Sequence, residues 1–244
     1  MSLWEYANPR KFMGWTGPVV PVVAWAAAIC ITVGLIWGFF FTGDDYRMGA
    51  SVKIIYLHVP SAMMAINAWA MMLVASLIWL VRRHHVSALA AKAAAPIGIA
   101  MTLIALITGA IWGKPIWGAY WAWDPRLTSF MILFLFYLAY VALWAAIEDA
   151  DTAADLTSIL CMVGSVFAVL SRYAFNFWGQ GLHQGASLSL DKEENVSDVF
   201  WQPLVLTMVG FGLLFVALAL IRTRSEIRNR RALALEMRAR GADA

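Results

Sequence analysis

The chain reads as an all-α, polytopic membrane protein with six transmembrane helices. Two observations carry this reading. Of its 244 residues, 62% are hydrophobic and 14% charged, with a mean hydropathy of +0.71, more apolar surface than a soluble domain of this size needs. Six apolar runs also reach the roughly 20 residues that cross the hydrocarbon core. A third observation orients the chain. With both termini cytoplasmic, twelve of the eighteen Lys and Arg fall on the inner side and six outside, in line with the positive-inside rule.

The expected spans are 19–41, 60–81, 93–112, 127–147, 156–176 and 200–221. Each is helical because a segment in lipid has to satisfy its own backbone polar groups. Residues 1–17 mix polar and aromatic side chains and precede a run long enough to span, so no cleavable signal peptide is expected. The second span is expected to start at Pro60, where a missing N–H costs nothing, with His58 just ahead of it. Glycines and prolines interrupt the stretch after the third span. Asp124 and Pro125 read as N-cap and first residue of the fourth helix. Residues 1–244 thus form one six-helix membrane domain with an outer loop at about 112–129. A basic cytoplasmic tail follows at about 222–244. It reads either as an inner-surface helix attracted to anionic lipid or as a docking handle for a cytoplasmic partner.

Composition also excludes some classes. The net charge of +3 does not indicate nucleic-acid binding, because the basic residues cluster at membrane ends. Cys30 and Cys161 sit in separate apolar runs and form neither a CxxC nor a CxxCH pair. The protein is therefore not a covalent c-type cytochrome.

Chemistry concentrates in WGKPIWGAYWAWDPRLTS, residues 112–129. Four tryptophans (Trp112, Trp117, Trp121 and Trp123) and Tyr120 crowd into twelve positions, denser than an interfacial aromatic belt alone explains. They suit a broad platform for a flat apolar ligand with charged edges, such as haem, with each stacked pair adding about 0.5–1.5 kcal/mol beyond burial. Arg126 falls in the first turn of the fourth helix, where a cation opposes the macrodipole by about 0.3–1 kcal/mol. A cation kept there points to an anionic partner, and its planar fork suits a carboxylate. Arg172, near a helix C-terminus, is favoured there anyway and says less.

Two histidines flank this stretch, His58 in YLHVPSA and His183 in NFWGQGLHQGASLSL. Taken singly, each also reads as an ordinary interfacial or loop histidine. Next to a helix N-terminus the His58 imidazole is favoured as the neutral form, which an iron or zinc ligand requires. Glycines 179, 181 and 185 allow close backbone approach around His183. Both fall on the expected outer face, whereas His84 and His85 belong to the inner RRHH cluster. Two imidazoles from distant parts of the chain are able to cap a haem iron from opposite sides.

WGKPIWGAYWAWDPRLTS resembles the WWD signature of the haem-handling proteins of bacterial cytochrome c maturation. The flanking LHVPSA and LHQGAS resemble the histidine motifs of the CcmC family of System I. Length, span number and motif order agree over nearly the whole chain. The WWD stretch by itself is shared with the larger CcmF and with CcsA of System II, while the RLTS ending and small size favour CcmC. Two positions depart from the pattern. Tyr120 stands where another Trp is expected, and Pro125 follows the aspartate as in CcmF.

The resemblance implies His58 and His183 as axial ligands to haem b, held non-covalently and in transit. Trp117, Trp121, Trp123 and Asp124 would belong to the platform. It implies no enzyme but a haem-presenting subunit in the bacterial inner membrane, its haem site on the periplasmic side. Haem would pass to the chaperone CcmE, with CcmD assisting and the ATPase CcmA and membrane subunit CcmB releasing the loaded chaperone. The chain has no GxxxxGK[ST] loop, so ATP work belongs to a partner. The alternatives are a haem permease with a path through the helices, a CcsA-like cytochrome c synthase component, a b-type electron-transfer cytochrome with helix-borne histidines, and a plain scaffold. A permease path should show ionisable or polar groups in mid-span, where Asn67 is one of few.

Overall fold

A computed structural model describes residues 8–178 and 196–242. Six helices account for most of them: α1 (Pro9–Phe40), α2 (Ile55–Arg82), α3 (His85–Trp117), α4 (Pro125–Ala146), α5 (Ala150–Trp178) and α6 (Asp198–Ala242). A 3-10 helix, Ala50–Ile54, leads into α2. The described residues contain no strand, only an isolated bridge between Asp45 and Gly49. All six helices are long and apolar enough to cross a membrane. The all-α, polytopic class is as expected.

Three boundaries differ from the sequence reading. α2 begins at Ile55, so His58 lies inside its first turn, and Pro60 is the sixth helical residue instead of the first. The 3-10 turn winds directly into α2, and Pro60 then costs only a bond near the helix start. α3 continues through Pro115 to Trp117 and stops at Gly118, whose φ of 77° suits a residue without a side chain. The irregular part of the tryptophan stretch is therefore 118–124. Finally, α6 runs unbroken through the basic tail, giving a helix of roughly 67 Å at 1.5 Å per residue. Leu233, Leu235 and Met237 are exposed on that extension.

α2 and α3 form the centre, with α1 paired to α6 on one side and α4 paired to α5 on the other. In lipid, helices associate through close packing and interhelical hydrogen bonds more than through hydrophobic burial. Accordingly α1 meets α6 at small residues. A Cβ added at Gly34 would lie 2.7 Å from Thr207 Cγ2, and one at Gly210 the same distance from Ile31 Cγ1. Between α2, α4 and α5, the Tyr137 hydroxyl donates to the Ala65 carbonyl (2.6 Å) and Trp69 Nε1 donates to Ser165 Oγ (3.1 Å). Such bonds contribute about 0.6–2 kcal/mol each in a bilayer. Cys161 is buried in this core, and both it and Cys30 are free thiols.

Six successive crossings put the α1–α2, α3–α4 and α5–α6 connections on one face. The opposite face carries the α2–α3 hinge and the α4–α5 turn, and is closely tied. Asp155 accepts from Trp79 Nε1 (2.9 Å) and pairs with Arg83. Arg224 of α6 donates to the Met13 carbonyl (2.7 Å) and to Thr16 Oγ1 (2.6 Å) of α1. His84 caps α3, its Nδ1 accepting from the Ser87 N–H at 3.2 Å, a role its place in RRHH did not reveal.

Candidate functional site

His58 packs sideways onto α3. Its Nδ1 lies 3.1 Å from the Ala105 carbonyl oxygen and 3.1 Å from Thr108 Oγ1. A carbonyl only accepts, so Nδ1 carries the proton and donates. The Thr108 hydroxyl in turn donates to the Ile104 carbonyl at 2.7 Å, leaving its lone pairs toward the imidazole. Nε2 then holds the free lone pair. A ring whose Nδ1–H is anchored on a backbone carbonyl is the usual arrangement for a metal ligand through Nε2.

The slot for this ring is cut by Gly109, where a Cβ would sit 2.9 Å from His58 Cε1. Trp112, one turn further along α3, meets the imidazole edge-on with centroids 5.6 Å apart. Ala105, Thr108, Gly109 and Trp112 follow helical spacing and form one face against His58. The sequence reading named only Trp112 among them, because a small-residue face within an apolar run looks like ordinary packing.

Trp112 and Trp117 belong to the last turns of α3, and the turn 118–124 presents Tyr120, Trp121 and Trp123. Pro125 holds Asp124 extended (φ −89°, ψ 159°), and Asp124 Oδ1 accepts from the Leu127 N–H at 2.7 Å. The expected N-cap is thus present. Trp121 and Trp123 stack edge to face at 5.6 Å, and Lys114 Nζ lies 5.2 Å over the Tyr120 ring. Trp123 and Tyr120 are 75% and 61% exposed.

Three buried polar atoms in this stretch have no hydrogen-bond partner among the described residues: Trp112 Nε1, Trp121 Nε1 and Asp124 Oδ2. A buried unpaired donor costs about 1–3 kcal/mol. Trp121 and Asp124 offer a donor and an acceptor three residues apart that do not meet each other. The pattern is that of a surface completed by a ligand.

Arg126 Nε donates to the Ser171 carbonyl of α5 at 3.2 Å. Its charge lies within electrostatic range of Arg172, Asp124 and His58. Arg172, which its own helix end already explains, thus adds a second positive charge within electrostatic range of Arg126. His58, Trp112, Asp124 and Arg126 thus share one end of the bundle. His183 lies outside the described residues.

The b-type cytochrome alternative calls for helix-borne histidines, and His58 lies within α2. Among the described residues, however, no second histidine faces it, since His84 and His85 lie at the far end. Asn67 is exposed on the outside of α2 and does not line a route between helices.

The fold and site define a multi-pass membrane protein with a histidine-anchored aromatic surface at one membrane face. The family model described as Heme exporter protein C (CcmC) matches residues 2–238, and the chain belongs to that family. It is 70% identical over 240 residues to Heme exporter protein C of Rhodobacter capsulatus, covering 98% of this chain and 99% of that protein. The protein of the same name from Paracoccus denitrificans is 69% identical over 235 residues, covering 96% and 97%. That of Escherichia coli is 40% identical over 226 residues, covering 93% and 91%.

Proposed function

We propose that this chain holds haem b non-covalently at the outer face of the bacterial cytoplasmic membrane and delivers it to the chaperone CcmE. It would act as a subunit of a CcmABCD-type ABC complex, beside CcmA, CcmB and CcmD. Membership of a family named for haem export supports haem handling in cytochrome c maturation. The observation that carries the site assignment is His58: a neutral imidazole fixed at Nδ1, with Nε2 uncommitted beside Trp112 and the unpaired indole donors.

The residues present fit the cargo. His58 and His183 would take the two axial positions of the iron, which supplies the coordination chemistry. Trp112, Trp117, Tyr120, Trp121 and Trp123 would hold the ring face by stacking. Asp124 orders the turn as a helix cap. The Arg126–Arg172 pair would attract a propionate through charge-assisted bonds. The chain makes and breaks no covalent bond in this role, and ATP hydrolysis belongs to CcmA.

A handover assay tests the reading. Haem-loaded protein mixed with purified CcmE should lose its Soret absorbance as the chaperone gains it. If the His58→Ala protein loads and transfers haem like the parent, the proposal fails. Orientation has its own check. Tyr46→Cys, on the 85% exposed α1–α2 connection, should react with an impermeant maleimide added outside intact spheroplasts, and protection there would invert the topology.

A further inference from the structure

At the end of the bundle opposite His58, a cavity of about 230 Å³ opens between α3, α4 and α6. The haem reading makes no use of it. Its walls include Lys92 and Pro96 of α3, Tyr140 and Trp144 of α4, and Arg222 and Glu226 of α6. The cleft exists because α4 and α6 both pack on α3 while their backbones hardly meet.

Its polar groups are arranged and incompletely satisfied. Arg222 Nε donates to the Ala93 carbonyl at 3.0 Å, which fixes the guanidinium. Among the described residues nothing takes up its two Nη groups. Lys92 Nζ is 2.8 Å from Glu226 Oε2 and 5.1 Å over the Trp144 ring. Trp144 Nε1 is buried within hydrogen-bonding range of the Tyr140 hydroxyl of the same wall. Two cations against one carboxylate leave a single positive charge in the cleft.

Position narrows the ligand. Trp144 lies two residues from the end of α4, and Lys92 is roughly 10 Å along α3 from its start at 1.5 Å per residue. Both therefore sit at the boundary between hydrocarbon and headgroups. From Pro96 an apolar face continues along α3 to the exposed Leu103, near the middle of the membrane. A charged cleft at headgroup depth, continuous with a lipid-facing apolar track, matches a phosphate joined to acyl chains better than a free anion.

We propose that this cleft binds the phosphate of an anionic phospholipid of the leaflet opposite the haem site. The Arg222 fork contacts the phosphate, Lys92 supplies charge, and an acyl chain follows the apolar face of α3. Basic pockets between transmembrane helices take anionic headgroups by this chemistry.

The full-length protein in neutral detergent, titrated with phosphatidylglycerol or phosphatidylcholine and followed by native mass spectrometry, tests it. Phosphatidylglycerol should bind about tenfold tighter than phosphatidylcholine, and Arg222→Gln should remove about tenfold of its affinity. Lys92→Gln removes the second cation and should cost about fivefold. Arg231→Gln, on the exposed part of α6, should bind like the parent, and inorganic phosphate should not compete. Equal affinity for the two lipids would overturn the proposal. So would unchanged binding in both Arg222→Gln and Lys92→Gln, an equal loss in Arg231→Gln, or displacement by inorganic phosphate.

Discussion

The two halves of the candidate haem site are built in opposite ways. On the α2–α3 side, His58 is locked: its Nδ1–H is bonded to Ala105, Thr108 stands beside it, and Gly109 leaves a slot with no room for a methyl group. On the 118–124 side, the aromatic rings of Tyr120 and Trp123 are open to the surroundings, and Trp121 Nε1 and Asp124 Oδ2 have no partner among the described residues. One half is preorganised and the other unfinished. A site that must grip a cargo and release it gains from this division. A fixed ligand spends little ordering entropy on binding, while an exposed face leaves an edge for the acceptor to approach.

Substitutions that blur this division should act in a graded order. Gly109→Val forces the imidazole out of its slot at a cost of about 1–3 kcal/mol, and haem affinity measured by titration should fall about tenfold to a hundredfold. If affinity holds, the slot does not position His58. Arg126→Ala comes next, with about a tenfold loss for haem and almost none for its propionate dimethyl ester. Equal losses would remove the propionate pairing. Thr108→Val keeps the shape but drops the hydroxyl beside Nδ1. Loss of such a supporting contact costs about tenfold in metal affinity, and a matching shift of the Soret band would separate it from a loss of folding. Smallest is Trp121→Phe, which retains a ring and loses only the unpaired N–H. About fivefold or less is expected, with thermal stability unchanged or raised because a buried unsatisfied donor disappears.

The same division explains what the sequence made legible. Apolar run length alone locates six spans, and turn chemistry places the Asp124 cap, while the third helix runs past its expected end at 112 to Trp117. The density of tryptophans marked the open half, since its residues are contiguous. The locked half stayed hidden. Ala105, Thr108 and Gly109 are small residues in an apolar run, and their meaning depends on a histidine 47 to 50 positions earlier that only packing brings near. The start of α2 is hidden for a related reason: a proline is cheapest at the first helical position, but a 3-10 turn upstream has already begun the helix before Pro60. In the same way Arg172 is explained by its own helix end, and only packing brings the charge of Arg126 on α4 within its electrostatic range.

The central claim is that His58 and His183 jointly ligate one haem iron at the outer face. The absorbance spectrum of the isolated full-length protein, recorded with each histidine replaced in turn by alanine, tests it most directly. A Soret band is expected in the parent that shifts or disappears in His58→Ala and in His183→Ala. A parent-like spectrum in both variants would contradict it.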